Sequence, residues 1–499
     1  MKITYISHAT LLIETGYSII VTDPWVGGSA YCNQWYLYPK ALRPELIKNA
    51  DYLLYSHGHE DHLHTESLQT INKKVEILYP YSWYGGSKDF FKEVGYNNVK
   101  EVLNEKTIVL DKHTCVTYLS NNLDNVMVIE CNGKVLVNIN DALPSASTQL
   151  IEYFISKIKQ RWPRIDYVFS SYGGASYFPN TVHCQSKNDK EIAEVREQFF
   201  VNNFCKIIDG LQPALAVPFA SDFVLLDDHQ RWINESKFPR NKIKEYYNSY
   251  SQNPGQSEII EAYPDDFFDT DGFHKTSPYH KIFEEKGFLG YIDTAYEKEI
   301  AQKRKPIFIS ESAAGELIEK VKKHILNKAY IIPENVRKNI CFTIKITDAN
   351  KNNYLKTNFR NKITEFEISS EPGKHDDLLI EIKSQTLHYT LDNEWGGDAI
   401  IIGYGVEVHC YNEDVISKEY ENYCIRLLSR YPNTKEYLLK TPWRGLKYLM
   451  SDSVKRKNII DKILGKSENI LNYSDTRLAN RNLWLNKSKC DVCKACNIN

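Results

Sequence analysis

Between residues 57 and 62 the chain reads His57-Gly58-His59-Glu60-Asp61-His62, directly after the apolar run Tyr52 to Tyr55. This H-x-H-x-D-H turn at the end of a strand pattern constrains the fold, because the strand must deliver several donor side chains to one point. In extended backbone the side chains at i and i+2 leave on the same side, so His57 and His59 can share one ion. Asp61 and His62 then face a second ion close by. Imidazole and carboxylate suit zinc, iron or manganese, so the motif announces metal without naming it. Asp61 is also the candidate catalytic residue, placed to orient or deprotonate a water molecule on the metals.

A chain of 499 residues exceeds one ordinary core and is expected to hold several domains. Its 62 basic and 64 acidic side chains give a net charge of -2, which supplies no global field for nucleic acid or anionic lipid. Met1 to Tyr5 leads straight into a strand pattern without the features of a secretory signal, and no apolar run reaches the ~20 residues that span a bilayer. The expectations are a cytoplasmic location, no membrane span and no nucleic-acid partner. Eleven cysteines, an odd number at irregular spacing, argue against a disulfide framework. Most of the first eight read as small buried side chains.

The pattern begins with hairpin alternation from Lys2 to about Asp23, with Thr15-Gly16 as the turn. A short helix is expected from Arg43 to Ala50. Strands are expected at Glu76 to Tyr79, Thr107 to Leu110, Cys115 to Leu119, Val126 to Cys131 and Val135 to Ile139. Helical periods at Thr148 to Arg161 and Lys190 to Gly210 each lead into a strand, Asp166 to Ser170 and Ala214 to Val217. Hairpins followed by helix-strand alternation imply an α/β sandwich with helices outside the sheets. The division read from the pattern is a metal domain over residues 1–230 and an irregular capping segment over 231–305. A smaller α/β domain over 306–412 follows, with strands at Ile340 to Ile346, Glu365 to Ser369, Leu378 to Ile382 and Ala399 to Val406. A helical tail over 413–499 closes the chain, with a break at Pro442.

His8-Ala9-Thr10 before Leu11 to Glu14, Asp23-Pro24 after the hairpin, the H-x-H-x-D-H turn and Asn138-Ile139-Asn140-Asp141 come in an order that resembles the metallo-β-lactamase superfamily. The resemblance implies an αββα sandwich with His57 and His59 on one ion, Asp61 and His62 on the other, and Asp141 on both. One carboxylate between two divalent ions offsets their repulsion. Asp23-Pro24-Trp25, Gly173-Gly174-Ala175-Ser176-Tyr177-Phe178-Pro179, Leu211-Gln212-Pro213 and Pro218-Phe219-Ala220 narrow the likeness to the catalytic part of CMP-N-acetylneuraminate hydroxylase and its bacterial relatives. That likeness implies hydroxylation of a sugar or nucleotide sugar with O₂ and delivered electrons, hence an electron-transfer partner. Trp25, Gly173, Gly174 and Ser176 become candidate substrate-binding residues, and 306–412 a sterol-carrier-like unit that shapes the site or mediates a homodimer.

The chain departs from the superfamily pattern where a third histidine for the first ion is expected, since Ser120 to Asn125 holds none. Asp124 or Asn122 is the alternative donor there, and either shifts preference away from a plain dizinc hydrolase. For the last ligand His229 is the first choice and His183 the second. The chain also lacks paired Cys-x-His and Cys-x-x-His boxes, so no Rieske module is expected. Cys490, Cys493 and Cys496 have the spacing of an iron-sulfur cluster or a zinc site and need a fourth ligand, from Cys424, another residue such as His409, a second subunit or a substrate. The leading expectation is an oxidative enzyme with an iron-type mono- or dinuclear site, the cofactors being two divalent ions, iron or zinc. The alternatives are a hydrolase of esters or phosphodiesters using metal-activated water, and a non-catalytic binding protein.

Overall fold

The computed structural model describes residues 1–466, except 83, 123, 176, 185–186, 339, 352, 360–363, 372–376 and 431–438. Among these residues, eight strands form a first sheet, running in space Gly272–His274, Phe267–Asp269, Lys2–Ser7, Thr10–Glu14, Ile19–Thr22, Tyr52–Leu54, Glu76–Pro80 and Val99–Val102. Seven strands form a second sheet, in the order Glu258–Ile259, Leu215–Phe219, Tyr167–Ser171, Lys134–Asn140, Asp124–Cys131, Thr114–Asn121 and Thr107–Asp111. The two sheets face each other because alternate side chains are apolar on both. Leu11 and Ile13 pack inward against Met127, Ile129 and Phe169 of the opposite sheet. Their neighbour Leu12 points outward to Leu68 and Phe91 of covering helices. On the other side Val126 and Val128 pack outward on Leu150, Ile151 and Phe154. With both faces of each sheet claimed, a one-residue slip would exchange core and covering side chains, so the register is fixed.

The covering helices obey ordinary end rules. Thr148–Arg161 starts where the Ser147 hydroxyl accepts the Leu150 N–H and stops just before Pro163. Asp189–Leu211 starts at Asn188, whose side chain accepts the Glu191 N–H. Residues 231–305 carry short helices and edge strands. Phe267–Asp269 pairs with Lys2–Ser7, and Glu258–Ile259 pairs with Leu215–Phe219. Arg43 to Ala50 forms a tight 3₁₀ turn, Pro44–Asn49.

A third sheet runs Val182–His183, Glu407–Cys410, Leu378–Ile382, Cys341–Ile346, Tyr354–Asn358 and Glu365–Ser369. Its first strand comes from the first half of the chain, with Val182 opposite Val408 and His183 opposite His409. Its core joins Tyr177, Phe178 and Phe200 to Leu317, Val321, Phe342 and Ile380. The strand expected at Ala399 to Val406 is a helical turn, Asp398–Ile401, followed by a loop and then the strand Glu407–Cys410. Two glycines enforce this path. A Cβ on Gly403 would meet Tyr31 at 2.4 Å, and one on Gly405 the Ala399 carbonyl at 2.7 Å. The last described helices, Pro442–Ser451 and Ser453–Ile463, return to the metal-bearing half, where Tyr448 donates to the Asn122 carbonyl at 2.9 Å. Pro442 opens its helix, a position where its missing N–H costs nothing.

Candidate metal centre

The donor turn follows the strand Tyr52–Leu54 and meets the ends of neighbouring strands from both sheets. His57 is buried, its Nδ1 2.9 Å from the Ser56 hydroxyl and its Nε2 2.8 Å from His59 Nδ1. An Asp124 oxygen lies 4.0 Å from the same His57 Nε2. His62 Nε2 lies 3.3 Å from Asp61 Oδ2 and 3.3 Å from Asp141 Oδ2. His8 Nε2 lies 3.1 Å from the same Asp61 oxygen. Three sets of donor atoms, His57-His59-Asp124, His57-His62-Asp141 and His8-Asp61-His62, each fall within 4.8 Å of one another. Ligands at ~2.0–2.2 Å from one ion are spaced on that scale.

The surroundings hold these groups in place. Asp23 Oδ1 accepts the Ser56 N–H at 2.8 Å, and its Oδ2 accepts from the Asn140 side chain at 2.5 Å. That second oxygen also lies 3.6 Å from His62 Nδ1, a carboxylate behind a donor imidazole. The Tyr31 hydroxyl donates to Asp61 Oδ1 at 2.5 Å. His8, Asp23 and Asn140 all have positive φ, 37°, 37° and 51°. For side chains other than glycine such backbone costs about 1–3 kcal/mol each and persists only when the packing over-determines it.

The electrostatics fit a bound cation. Burial and the nearby His62 and His59 push the His57 imidazole well below its usual pKa, which leaves its lone pair available. Burial also pulls His62 down, but Asp61 and Asp141 outweigh it and raise the imidazole well above its usual range. Burial raises the Asp124 carboxyl to about 6, with Asp141 adding to the rise against the pull of His59. Neither His62 nitrogen makes a hydrogen bond of normal geometry, and Asp141 Oδ1 is buried without one. Divalent ions answer both the crowded carboxylates and these unmatched atoms.

A pocket opens over the donors, walled by Tyr31, Trp35, Phe200 and Phe223, with Trp35 and Phe223 stacked at 3.4 Å between centroids. Gly173 and Gly174 line it, and Ile402 reaches it from the segment before the strand Glu407–Cys410. Gly174 is required for space, since a Cβ there would meet the Phe200 ring at 2.5 Å.

Other expected residues fall elsewhere. Trp25 is 0% exposed and stands behind the donors, its ring edge-on to His8 at 5.1 Å, so it packs the site without facing the pocket. His229 lies 3.2 Å from Glu407, and His183 bonds the same carboxylate, so the two alternatives for the last ligand belong to a separate ion-pair cluster. Glu407 draws them there because it is largely buried and needs positive partners. Cys424 is buried in the third-sheet core, and His409 lies 3.2 Å from Glu381. Ser176, Cys490, Cys493 and Cys496 lie outside the described residues. The eight described cysteines form no disulfide, and no described helix is long and apolar enough to cross a membrane. Sequence reasoning named His8 within a motif but missed it as part of the donor cluster, and held Asp124 only as an alternative.

Two facing sheets under helices, with histidines and aspartates gathered at the strand ends, define a metallo-β-lactamase fold. Residues 2–139 match the family described as the beta-lactamase superfamily domain. Members of that superfamily are metalloenzymes. The chain is similar to cytidine monophosphate-N-acetylneuraminic acid hydroxylase of Danio rerio, 27% identical over 258 residues, which cover 47% of this chain and 40% of that protein. It is also similar to a putative Rieske 2Fe-2S iron-sulfur protein of Mycolicibacterium smegmatis, 24% identical over 332 residues, which cover 63% and 62% of the two chains. The chain therefore matches less than two thirds of the length of these relatives. Among solved structures, CmlA, a diiron beta-hydroxylase from Streptomyces venezuelae, aligns with a TM-score of 0.36 at 17% identity, over 52% of each chain. An isothiocyanate hydrolase from Delia radicum gut bacteria aligns with a TM-score of 0.37 at 14% identity, over 54% of this chain and 98% of that one.

Proposed function

We propose that this chain is a metal-dependent oxidase or hydroxylase that acts on a sugar or nucleotide-sugar-like substrate at a dinuclear, iron-type centre. The observation that carries this reading is the His57-His59-Asp124 set beneath an open pocket. Two imidazoles and one carboxylate with open positions favour iron and O₂ chemistry, whereas a third imidazole in place of Asp124 would suit zinc. The hydroxylase relative supports the substrate class, and the Rieske-named relative supports an electron-transfer partner.

His57, His59 and Asp124 would hold one ion, Asp61 and His62 the other, and Asp141 would stand between them. An iron pair so held supplies oxidation by O₂ when electrons are delivered from outside. The chain's own contribution is orientation. Tyr31 fixes the Asp61 carboxylate, Asp23 stands 3.6 Å behind His62, and the Trp35-Phe223 stack offers a sugar or base an aromatic wall that excludes water. Electrons would arrive from a separate redox protein or from a cluster on Cys490, Cys493 and Cys496.

Asp141 beside both donor groups also favours a second reading, a hydrolase that uses water activated between two ions. Anaerobic purification with elemental analysis, followed by O₂ uptake with CMP-sialic acid and a chemical reductant, separates the two. The oxidative reading expects bound iron and substrate-dependent O₂ consumption. Bound zinc with turnover of a generic phosphodiester in the absence of O₂ would replace it with hydrolysis. Two bound ions with neither activity would favour a binding protein.

A further inference from the structure

The second ion, in the proposed reading, has Asp61, His62 and Asp141 from the chain, and the histidines expected to complete it are committed to Glu407. We infer that His8 is its missing imidazole ligand, binding through Nε2. The inference rests on the dinuclear reading of the centre and adds a residue from a part of the chain that the metal motif does not reach.

His8 follows the strand Lys2–Ser7, whose pairing with Thr10–Glu14 shifts register between Tyr5 and Ser7. The shift and the positive φ of His8 turn its ring toward the donor turn rather than into the sheet core. The residue is 2% exposed. Trp25 packs edge-on against the ring at 5.1 Å, and the His62 ring lies 5.6 Å away. Both orientation and depth are therefore set by neighbours.

The two ring nitrogens face different partners. Nδ1 lies 3.4 Å from the Asp222 backbone carbonyl, and Nε2 lies 3.1 Å from Asp61 Oδ2. A carbonyl only accepts, so the ring proton of a neutral imidazole belongs on Nδ1. That choice leaves the Nε2 lone pair directed at a carboxylate oxygen, with His62 Nε2 only 3.3 Å beyond that same oxygen. The ligand atoms of His8, Asp61 and His62 thus gather at one buried point, all within 4.8 Å of one another, the scale on which the ligands of a single ion are spaced. The backbone carbonyl behind Nδ1 is the usual partner that fixes a ligating histidine in this tautomer.

The competing role is a hydrogen bond from His8 to Asp61 that merely orients the carboxylate. His8→Ala and His8→Gln separate the two, because glutamine keeps an N–H donor and loses the imidazole. Full-length protein is loaded anaerobically with Fe²⁺ and, separately, with Co²⁺. Stoichiometry is read by elemental analysis, affinity by calorimetric titration, and site geometry by the visible Co²⁺ spectrum, with circular dichroism confirming the fold. Two ions in the unsubstituted protein establish the reading on which the inference rests, and fewer than two would overturn that reading and the inference with it. Given two, both variants are expected to retain one tightly held ion and to bind the other more than about 100-fold more weakly, beyond the 10- to 100-fold effect of an orienting partner. The Co²⁺ band of the weakened site should change as well. Two ions at unchanged affinity in both variants would overturn the assignment. So would loss in His8→Ala with full recovery in His8→Gln, which is the signature of an orienting hydrogen bond.

Discussion

Glu407→Gln probes the ion-pair cluster that joins the two halves of the chain. Glu407 takes His183 Nε2 on one oxygen, and on the other it faces His229 Nε2 at 3.2 Å and Gln230 Nε2 at 2.8 Å. His183 Nδ1 is held in turn by Asp189 at 2.8 Å. Burial disfavours the charged imidazole, yet Asp189 and Glu407 prevail and raise its pKa to about 10. A proton that binds more tightly in the folded state stabilises it fully below the unfolded pKa of ~6.5, and this stabilisation fades as pH rises and vanishes above about 10. At ~1.4 kcal/mol per unit the whole gap corresponds to roughly 5 kcal/mol as an upper bound. The His183 side chain is 25% exposed and keeps Asp189 in the variant, so solvent screening and the remaining partner reduce the expected loss to about 2 kcal/mol. Urea denaturation of both proteins at about pH 6 and about pH 9.5 should show that loss at the lower pH and less than ~0.5 kcal/mol at the higher. An equal loss at both pH values would refute the assignment of the charge to His183.

Gly174→Ala places a Cβ 2.5 Å from the buried Phe200 ring and should destabilise the fold by about 1–3 kcal/mol in thermal denaturation, with Phe200→Leu restoring part of the loss. Asp124→His exchanges a hard donor for an imidazole and should raise the zinc-to-iron ratio of protein loaded from an equimolar mixture, as read by elemental analysis.

The parts of the fold legible in sequence are those set by local periodicity. Thr148–Arg161, Glu365–Ser369 and Leu378–Ile382 have the expected bounds, because their apolar residues recur with a single period between clear stops. Ala399 to Ile402 deceived that reading. Four apolar residues do not distinguish a strand from a helical turn, and the deciding contact of Gly403 with Tyr31 spans most of the chain. The donor turn was legible for the same local reason, since four donors lie within six residues. His8 and Asp124 were harder, because the donors they meet are distant in sequence, Asp61 for His8 and His57 for Asp124. The signal for His8 was a histidine flanked by Ser7 and Ala9 at the end of an apolar strand. His229 had the look of a ligand in Asp227-Asp228-His229, but only folding reveals Glu407 beside it. Trp25 was a candidate substrate-binding residue through the family likeness, and the structure buries it behind the donors.

The strand Val182–His183, contributed to a sheet otherwise built from residues beyond 340, also governs how the molecule can be taken apart. A fragment ending near residue 305 would strip the cover from Tyr177, Phe178 and Phe200, and the last of these forms a wall over the donors. A fragment beginning there would lose the edge partner of Glu407–Cys410 and expose a row of backbone groups to stray pairing. The two halves are thus stitched like a dovetail joint, and the wall over the donors keeps its shape only while the joint is closed.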